Sequence, residues 1–192
     1  MNLLVLGPQG AGKGTQAKLI AADHGIPHVS TGDMFRSAIA TGSPLGEKVE
    51  PILAAGELVP DELTIDLIRE RLTNEDAHAG FVLDGFPRNL AQAEALDATL
   101  AGIGRDLDAI LFFDLPDGMC IERMRKRAGA ENRPDDTDEA IARRLAIYHA
   151  ETEPVVEHYR TTGKLVPLHA GRSVEEVYAE VQDALDQLGA RV

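Results

Sequence analysis

The first residues able to carry chemistry stand near the start of the chain, in "GPQGAGKGT" from Gly7 to Thr15, directly after the apolar run "LLVL". Gly7, Gly12 and Lys13 fall on the pattern G-x-x-x-x-G-K-[ST]. In such a loop, glycines let backbone N–H groups turn in around phosphate oxygens, the following helix N-terminus adds partial positive charge, and the lysine adds a full one. The last place breaks the pattern: Gly14 stands where a Ser or Thr hydroxyl meets Mg²⁺, and Thr15 comes one position late. The rival dinucleotide fingerprint G-x-G-x-x-G fits Gly10 and Gly12 but finds Thr15 where its third glycine belongs. Strand, loop and helix follow in the order a phosphate site requires.

Two further stretches hold candidate chemistry. In "LDGFPR", Leu83 to Arg88, Asp84 ends an apolar strand as a metal-ordering acid does, Gly85 permits close backbone approach, and the Arg88 fork suits a phosphate. Gln92 lies one helical turn beyond; its amide both donates and accepts, as reading a base edge requires, although a solvated helix residue is the plain alternative. Seven of the nineteen Lys and Arg residues lie between Arg123 and Arg144. They form either a solvated face or a local anion site, and Arg123 and Arg127, four apart, share one helix face. The run "STGDMFR", Ser30 to Arg36, taken alone reads as a helix N-cap.

These residues need elements to position them. Short apolar runs ("LLVLG", "IPHVS", "GFVLDG", "AILFFDL", "KLVPLH") alternate with helical stretches at 13–24, 31–40, 46–55, 60–72, 90–100, 117–127, 140–160 and 174–188. Pro154 is placed to kink the 140–160 helix. Strands alternating with helices imply βαβ units, a parallel sheet covered on both faces, and ligands beyond the carboxyl ends of the strands. The loops after Leu6, Leu83 and Phe113 open there.

Bulk properties bound the function. The chain has 192 residues, enough for one domain with a full core, and a net charge of −13 that argues against a nucleic-acid surface. There is no run of eighteen apolar residues and no charged-then-apolar leader, so neither a membrane span nor a signal peptide is expected and the cytoplasm is the default. The single cysteine, Cys120, reads as a packed thiol.

At "GPQGAGKGTQ" the chain resembles the adenylate kinases, within the nucleoside monophosphate kinases, and the resemblance runs from Leu3 to about Val181. Gly-Lys-Gly-Thr is that family's own loop, so the resemblance puts Gly14 in pattern and makes Thr15 the hydroxyl at the phosphate–metal site. One departure stands in the loop: Gln9 occupies the place of a family proline. The implied fold is an α/β three-layer P-loop fold on a five-stranded parallel sheet, with a core of residues 1–29, 60–125 and 137–192. A helical acceptor-binding insert at 30–59 and a short lid at 126–136 complete it.

The implied activity is reversible phosphoryl transfer from ATP to AMP, giving two ADP. Gly10, Ala11, Gly12, Lys13, Gly14, Thr15, Arg123 and Arg127 are implied to hold ATP, with the Arg172 carbonyl on its adenine. For AMP the resemblance implies Thr31, Arg36, the backbone of Glu57, Leu58 and Val59, and Gly85, Phe86, Pro87, Arg88 and Gln92. Arg133 and Arg144 are implied to clamp phosphates from the lid side, and Lys13, Asp84, Arg88, Arg123, Arg133 and Arg144 to serve catalysis. Mg²⁺ is implied to be held through nucleotide and water near Thr15, Asp33 and Asp84. Long-lid relatives carry a zinc-binding insert, for which this chain has neither length nor cysteines, so no zinc is expected. The expected partners are ATP, AMP and ADP, with no nucleic acid, no membrane and a monomeric state. A UMP/CMP kinase of the same fold is the near alternative, and a nucleotide-dependent switch protein the distant one.

Overall fold

The computed structural model describes residues 1–130 and 136–189. Five strands, β1 (Asn2–Leu6), β2 (His28–Ser30), β3 (Phe81–Asp84), β4 (Ala109–Asp114) and β5 (Leu165–His169), form one parallel sheet in the order β2-β3-β1-β4-β5. The N-terminal strand is therefore central. Alternate side chains of β1 enter opposite cores, which is why it is apolar at every place rather than at every second one. Leu3 and Val5 pack with Val82, Leu111 and Phe113 on one face, while Leu4 and Leu6 pack with Leu83, Val29 and Ile110 on the other.

Helices cover both faces. On the first lie α1 (Lys13–His24), α6 (Asp117–Ala130), α7 (Asp138–Ile147) and α9 (Val174–Gly189), which supply Ala17 and Ile20, Cys120 and Met124, Ile141 and Leu145, and Val177 and Val181. On the second lie α4 (Asp61–Leu72), α5 (Leu90–Gly102) and α8 (Glu153–Arg160), with Ile68, Leu96 and Tyr159 fully buried. Between β2 and α4, α2 (Thr31–Ala40) and α3 (Pro44–Ala54) close a small core of their own around Phe35, Val49 and Val59. A Cβ on Gly46 would sit 2.2 Å from the Ala38 carbonyl, so this glycine lets α3 cross tightly against α2.

Several element boundaries differ from the sequence expectation. Helix α3 begins at Pro44 rather than Gly46, because Ser43 accepts from the Gly46 N–H and Pro44 occupies the first turn, where it has no N–H to lose. Helix α6 runs on to Ala130. The expected single helix 140–160 is two helices separated by a π-type turn at Tyr148–Thr152. Pro154 sits in the first turn of α8, so the chain widens just before the proline instead of kinking at it. The turn also delivers the Thr152 hydroxyl to the Arg88 carbonyl at 2.7 Å. Proline at 167 is tolerated because β5 is an edge strand, paired to β4 alone. Among the described residues no helix is long and apolar enough to cross a membrane.

Candidate active site

The carboxyl ends of β1 and β3 open into a cleft of about 610 Å³. Its floor is the loop from Gly7 to Gly12. Gly7 (φ 139°) and Gly10 (φ 86°) hold conformations an L side chain avoids, and a Cβ there would fall 2.4 Å from the Phe113 carbonyl and 2.7 Å from that of Cys120. The loop is thus pressed onto β4 and α6. It leads into α1 through Gly12, which gives no side-chain cap, whereas Ser30, Asn89 and Thr137 cap α2, α5 and α7. The first-turn amides of α1 are left for an anion.

Lys13 lies at the centre, its Nζ donating to the Gly7 and Pro8 carbonyls at 2.7 Å each. Burial pulls its pKa down to about 8, with Arg88 adding repulsion and Asp84 opposing the fall. A bound triphosphate favours the charged form and raises that value. Nucleotide binding near pH 8.5 is therefore expected to take up a proton, and affinity to weaken as pH rises through about 8, where free Lys13 loses its charge. Calorimetric titration with ATP in buffers of differing ionisation enthalpy measures the uptake; an enthalpy independent of buffer would show that Lys13 keeps its charge throughout.

Asp84 ends β3 opposite the loop. Burial pushes its pKa up, but the His28 hydrogen bond (Nε2 to Oδ2, 3.3 Å) and the charges of Lys13 and Arg88 together outweigh this and hold it below the usual carboxylate range. His28 had no motif to mark it; it reaches Asp84 only because β2 pairs with β3. The same carboxylate explains the unusual Gly14, since a Cβ there would come within 3.3 Å of Asp84 Oδ2. Gly14→Ser, which restores the commoner phosphate-loop pattern, is accordingly expected to lower kcat by about tenfold or more by displacing that carboxylate. A steady-state assay decides it, and undiminished turnover would mean the carboxylate need not hold this position.

On the opposite wall, Thr31 donates its hydroxyl to the Gly85 carbonyl at 2.9 Å, and Arg88 Nε donates to the same oxygen at 2.7 Å. Gly85 (φ 80°) admits this arrangement because a Cβ would lie 2.8 Å from Thr31 Oγ1. Arg88 is buried, which lowers its pKa; Asp84 opposes that shift, while Arg144 and Arg36 reinforce it. A guanidinium nonetheless stays charged. Arg36 pairs with Asp33 at 2.6 Å. Ser30 caps α2, so the capping reading of "STGDMFR" holds beside the placement of Thr31, Asp33 and Arg36 along the cleft.

The arginine-rich stretch gathers around an acid that no sequence motif marks. Asp136, its side chain fully buried, receives Arg127 Nη2 at 2.8 Å and Arg144 Nη1 at the other oxygen. Arg144 Nη2 also donates to the Leu53 carbonyl of α3 at 3.2 Å, and Arg143 pairs with Glu57 at 3.1 Å. Gly56 (φ 74°) meets the same helix, where a Cβ would touch the Ala140 carbonyl at 2.8 Å. Arg123 donates to the carbonyls of Ala170 (2.9 Å) and Arg172 (3.4 Å), while the Arg172 guanidinium pairs with Glu180.

Gly10 to Thr15, Thr31, Arg36, Glu57, Leu58, Val59, Gly85, Pro87, Arg88, Gln92, Arg123, Arg127, Arg144 and Arg172 all line this one cleft. Phe86 does not: its side chain is fully buried in the core beneath the sheet, packed with Leu83 and Leu96, so only its backbone is left for an acceptor. Arg133 lies outside the described residues. Gln9 lines the cleft, and its amide oxygen is buried with no hydrogen-bond partner among the described residues.

Basic side chains converging from facing walls of one cleft, in a protein of net charge −13, suit a P-loop phosphotransferase that holds two phosphorylated substrates at once. Sequence comparison narrows that class. Residues 5–164 match the family model described as adenylate kinase. The adenylate kinase of Parvibaculum lavamentivorans is 46% identical over 188 residues, covering 96% of this chain and 92% of that protein. Those of Caulobacter vibrioides (46% over 190 residues, 99% and 100% covered) and Thermobifida fusca (46% over 185 residues, 96% and 98%) are similar to the same degree. The chain belongs to the adenylate kinase family and is an ATP:AMP phosphotransferase.

Proposed function

We propose that ATP lies with its phosphates in the loop from Gly10 to Thr15, beneath Arg123 and Arg127, and that AMP lies against Thr31, Arg36, residues 57–59 and Gly85 to Gln92. The observation that carries this reading is the convergence of Lys13, Arg88, Arg123, Arg127 and Arg144 on one cleft. Transfer to a phosphate needs no general base, because the acceptor oxygen is already ionised; it needs the two oxygens in line and the moving charge held. Lys13 and the loop amides hold the donor end, Arg88 the acceptor phosphate, and Arg127 and Arg144 the space between them.

Oxygen donors fit a hard cation here: the Thr15 hydroxyl, Asp33, and Asp84 kept ionised by its neighbours. Mg²⁺ bound with ATP supplies charge neutralisation at the outer phosphates. The chain's own part is to keep Asp84 ionised through His28, Lys13 and Arg88. Residues 41–60 act as a moving segment that shuts water out before transfer; the second stretch expected to move, 128–136, lies mostly outside the described residues. The contacts of α7 with Leu53, Gly56 and Glu57 support the first of these, since they make a seam between α7 and the acceptor side that can open and close. The protein works in this reading as a cytoplasmic monomer, without zinc.

A coupled assay of ADP formation with AMP, CMP and UMP tests the reading. AMP is expected to be preferred by kcat/KM, with activity dependent on Mg²⁺. Preference for CMP or UMP would assign the related pyrimidine activity, and ATP hydrolysis indifferent to all three would point to a switch protein.

A further inference from the structure

Gln92 sits in the first turn of α5, only 2% exposed, yet it borders the cleft. A side-chain amide has two N–H donors and two oxygen lone pairs. Here half of that capacity is already used. The Arg88 backbone N–H donates to Gln92 Oε1 at 2.8 Å, and Gln92 Nε2 donates to Asp61 Oδ1 at 2.7 Å. One N–H and one lone pair remain for a ligand. Turning the amide by 180° would set Nε2 against the Arg88 N–H and Oε1 against the Asp61 carboxylate, replacing two hydrogen bonds by two contacts of like polarity.

Of the two groups that impose this sense, the one side chain among them is itself held. Asp61 Oδ1 also accepts from Asn89 Nδ2 at 2.9 Å. Asn89 cannot turn over either, because its Oδ1 accepts the Gln92 backbone N–H at 2.9 Å as the cap of α5. Asp61 opens α4 one residue beyond the 57–59 stretch and does not line the cleft. We propose that Asp61 is a positioning residue that fixes the hydrogen-bonding sense of Gln92 and thereby makes the acceptor site select adenine over hypoxanthine.

The chemistry is a matter of sign. Adenine offers an acceptor at N1 beside a donor at its 6-amino group; hypoxanthine offers a donor at N1 beside an acceptor at O6. An amide of fixed sense bonds the first edge twice and opposes the second twice. An amide free to turn serves both. A site built to hydrogen-bond one pattern rejects its rival by leaving buried polar groups unpaired. This inference rests on the reading that Gln92 meets the acceptor base, and the test separates the two.

The measurement is kcat and KM for AMP and for IMP as acceptors with ATP, in the wild-type protein and in Asp61→Ala, Asp61→Leu, Asp61→Asn and Gln92→Ala, each checked for folding by its melting curve. Wild type is expected to prefer AMP strongly. In Asp61→Ala the AMP-to-IMP ratio of kcat/KM is expected to fall about tenfold or more. The fall should come from a higher KM for AMP and a lower KM for IMP, with kcat at saturating AMP changed far less. Asp61→Leu, of nearly the same size, is expected to repeat this and stands in if the alanine variant is unstable. Asp61→Asn keeps an acceptor oxygen and is expected to keep most of the selectivity, whereas a purely structural role would scale both substrates alike. A ratio unchanged in Asp61→Ala and Asp61→Leu but lowered in Gln92→Ala would overturn the role of Asp61 and leave base reading by Gln92 standing. A ratio unchanged in all of them, or a wild type indifferent to the two bases, would overturn both.

Discussion

Lys13→Ala is expected to lower kcat by about 10²-fold or more, the scale of losing one preorganised charge at a transferring group. It should do so without unfolding the protein. Lys13 is buried with its pKa pulled down to about 8, so below that pH the fold carries a charge it would shed more easily than the unfolded chain does. Between about 8 and 10.5 the unfolded chain binds the extra proton, so this unfavourable contribution is relieved as pH rises through that window. Removing the amine therefore takes away a destabilising charge along with the two hydrogen bonds to Gly7 and Pro8. Lys13→Met, which keeps the stem, separates charge from volume and is expected to lose as much activity. Near-normal kcat in either variant would remove Lys13 from the phosphate site.

The second large effect is expected at Asp136. Its buried carboxylate joins Arg127 and Arg144, and deleting it takes a buried counter-charge away from two guanidinium groups that are mostly out of water. Breaking one side of a buried pair typically costs about 3 kcal/mol or more, which for a chain of this size lowers Tm by about 6–12 °C. Activity should fall with it, because both arginines lose the acid that aims them. Asp136→Ala measured by calorimetry and by steady-state kinetics checks both parts, and Asp136→Glu tests whether any carboxylate suffices. A Tm within 2 °C of wild type (about 1 kcal/mol or less) would make the acid a dispensable surface partner.

What the sequence made legible is what local pattern can carry. Strands of consecutive apolar residues, a phosphate loop with its lysine, and the four-residue step from Arg88 to Gln92 each announce themselves within a short window. The Arg88–Gln92 step is real, though its first use is internal, the Arg88 N–H donating to the Gln92 amide. Residues that act through a distant partner stayed hidden. His28 meets Asp84 across a strand pair, Asp61 meets Gln92 across two helix starts, and Asp136 gathers arginines from two helices. Phe86 shows the reverse case: it sits inside the motif, but its side chain is buried in the core and leaves only its backbone for an acceptor. Pro154 announced a disturbance in the 140–160 helix but not its form as a π-type turn at Tyr148–Thr152, because burial continues through it, from Leu145 and Tyr148 to Val155 and Tyr159.

The place of β1 at the middle of the sheet bears on how the chain comes to be folded. Strand β1 is made well before both its neighbours: β3 follows at Phe81 and β4 at Ala109. A nascent chain must emerge by some eighty residues before the first edge of this apolar segment can be paired, and by about thirty more before the second is. Until then five consecutive apolar or amide side chains, Asn2 to Leu6, stay open to whatever binds exposed strands. Pairings so distant in sequence also favour slow folding. Loss of these few residues would divide the finished sheet into two halves rather than trim its margin.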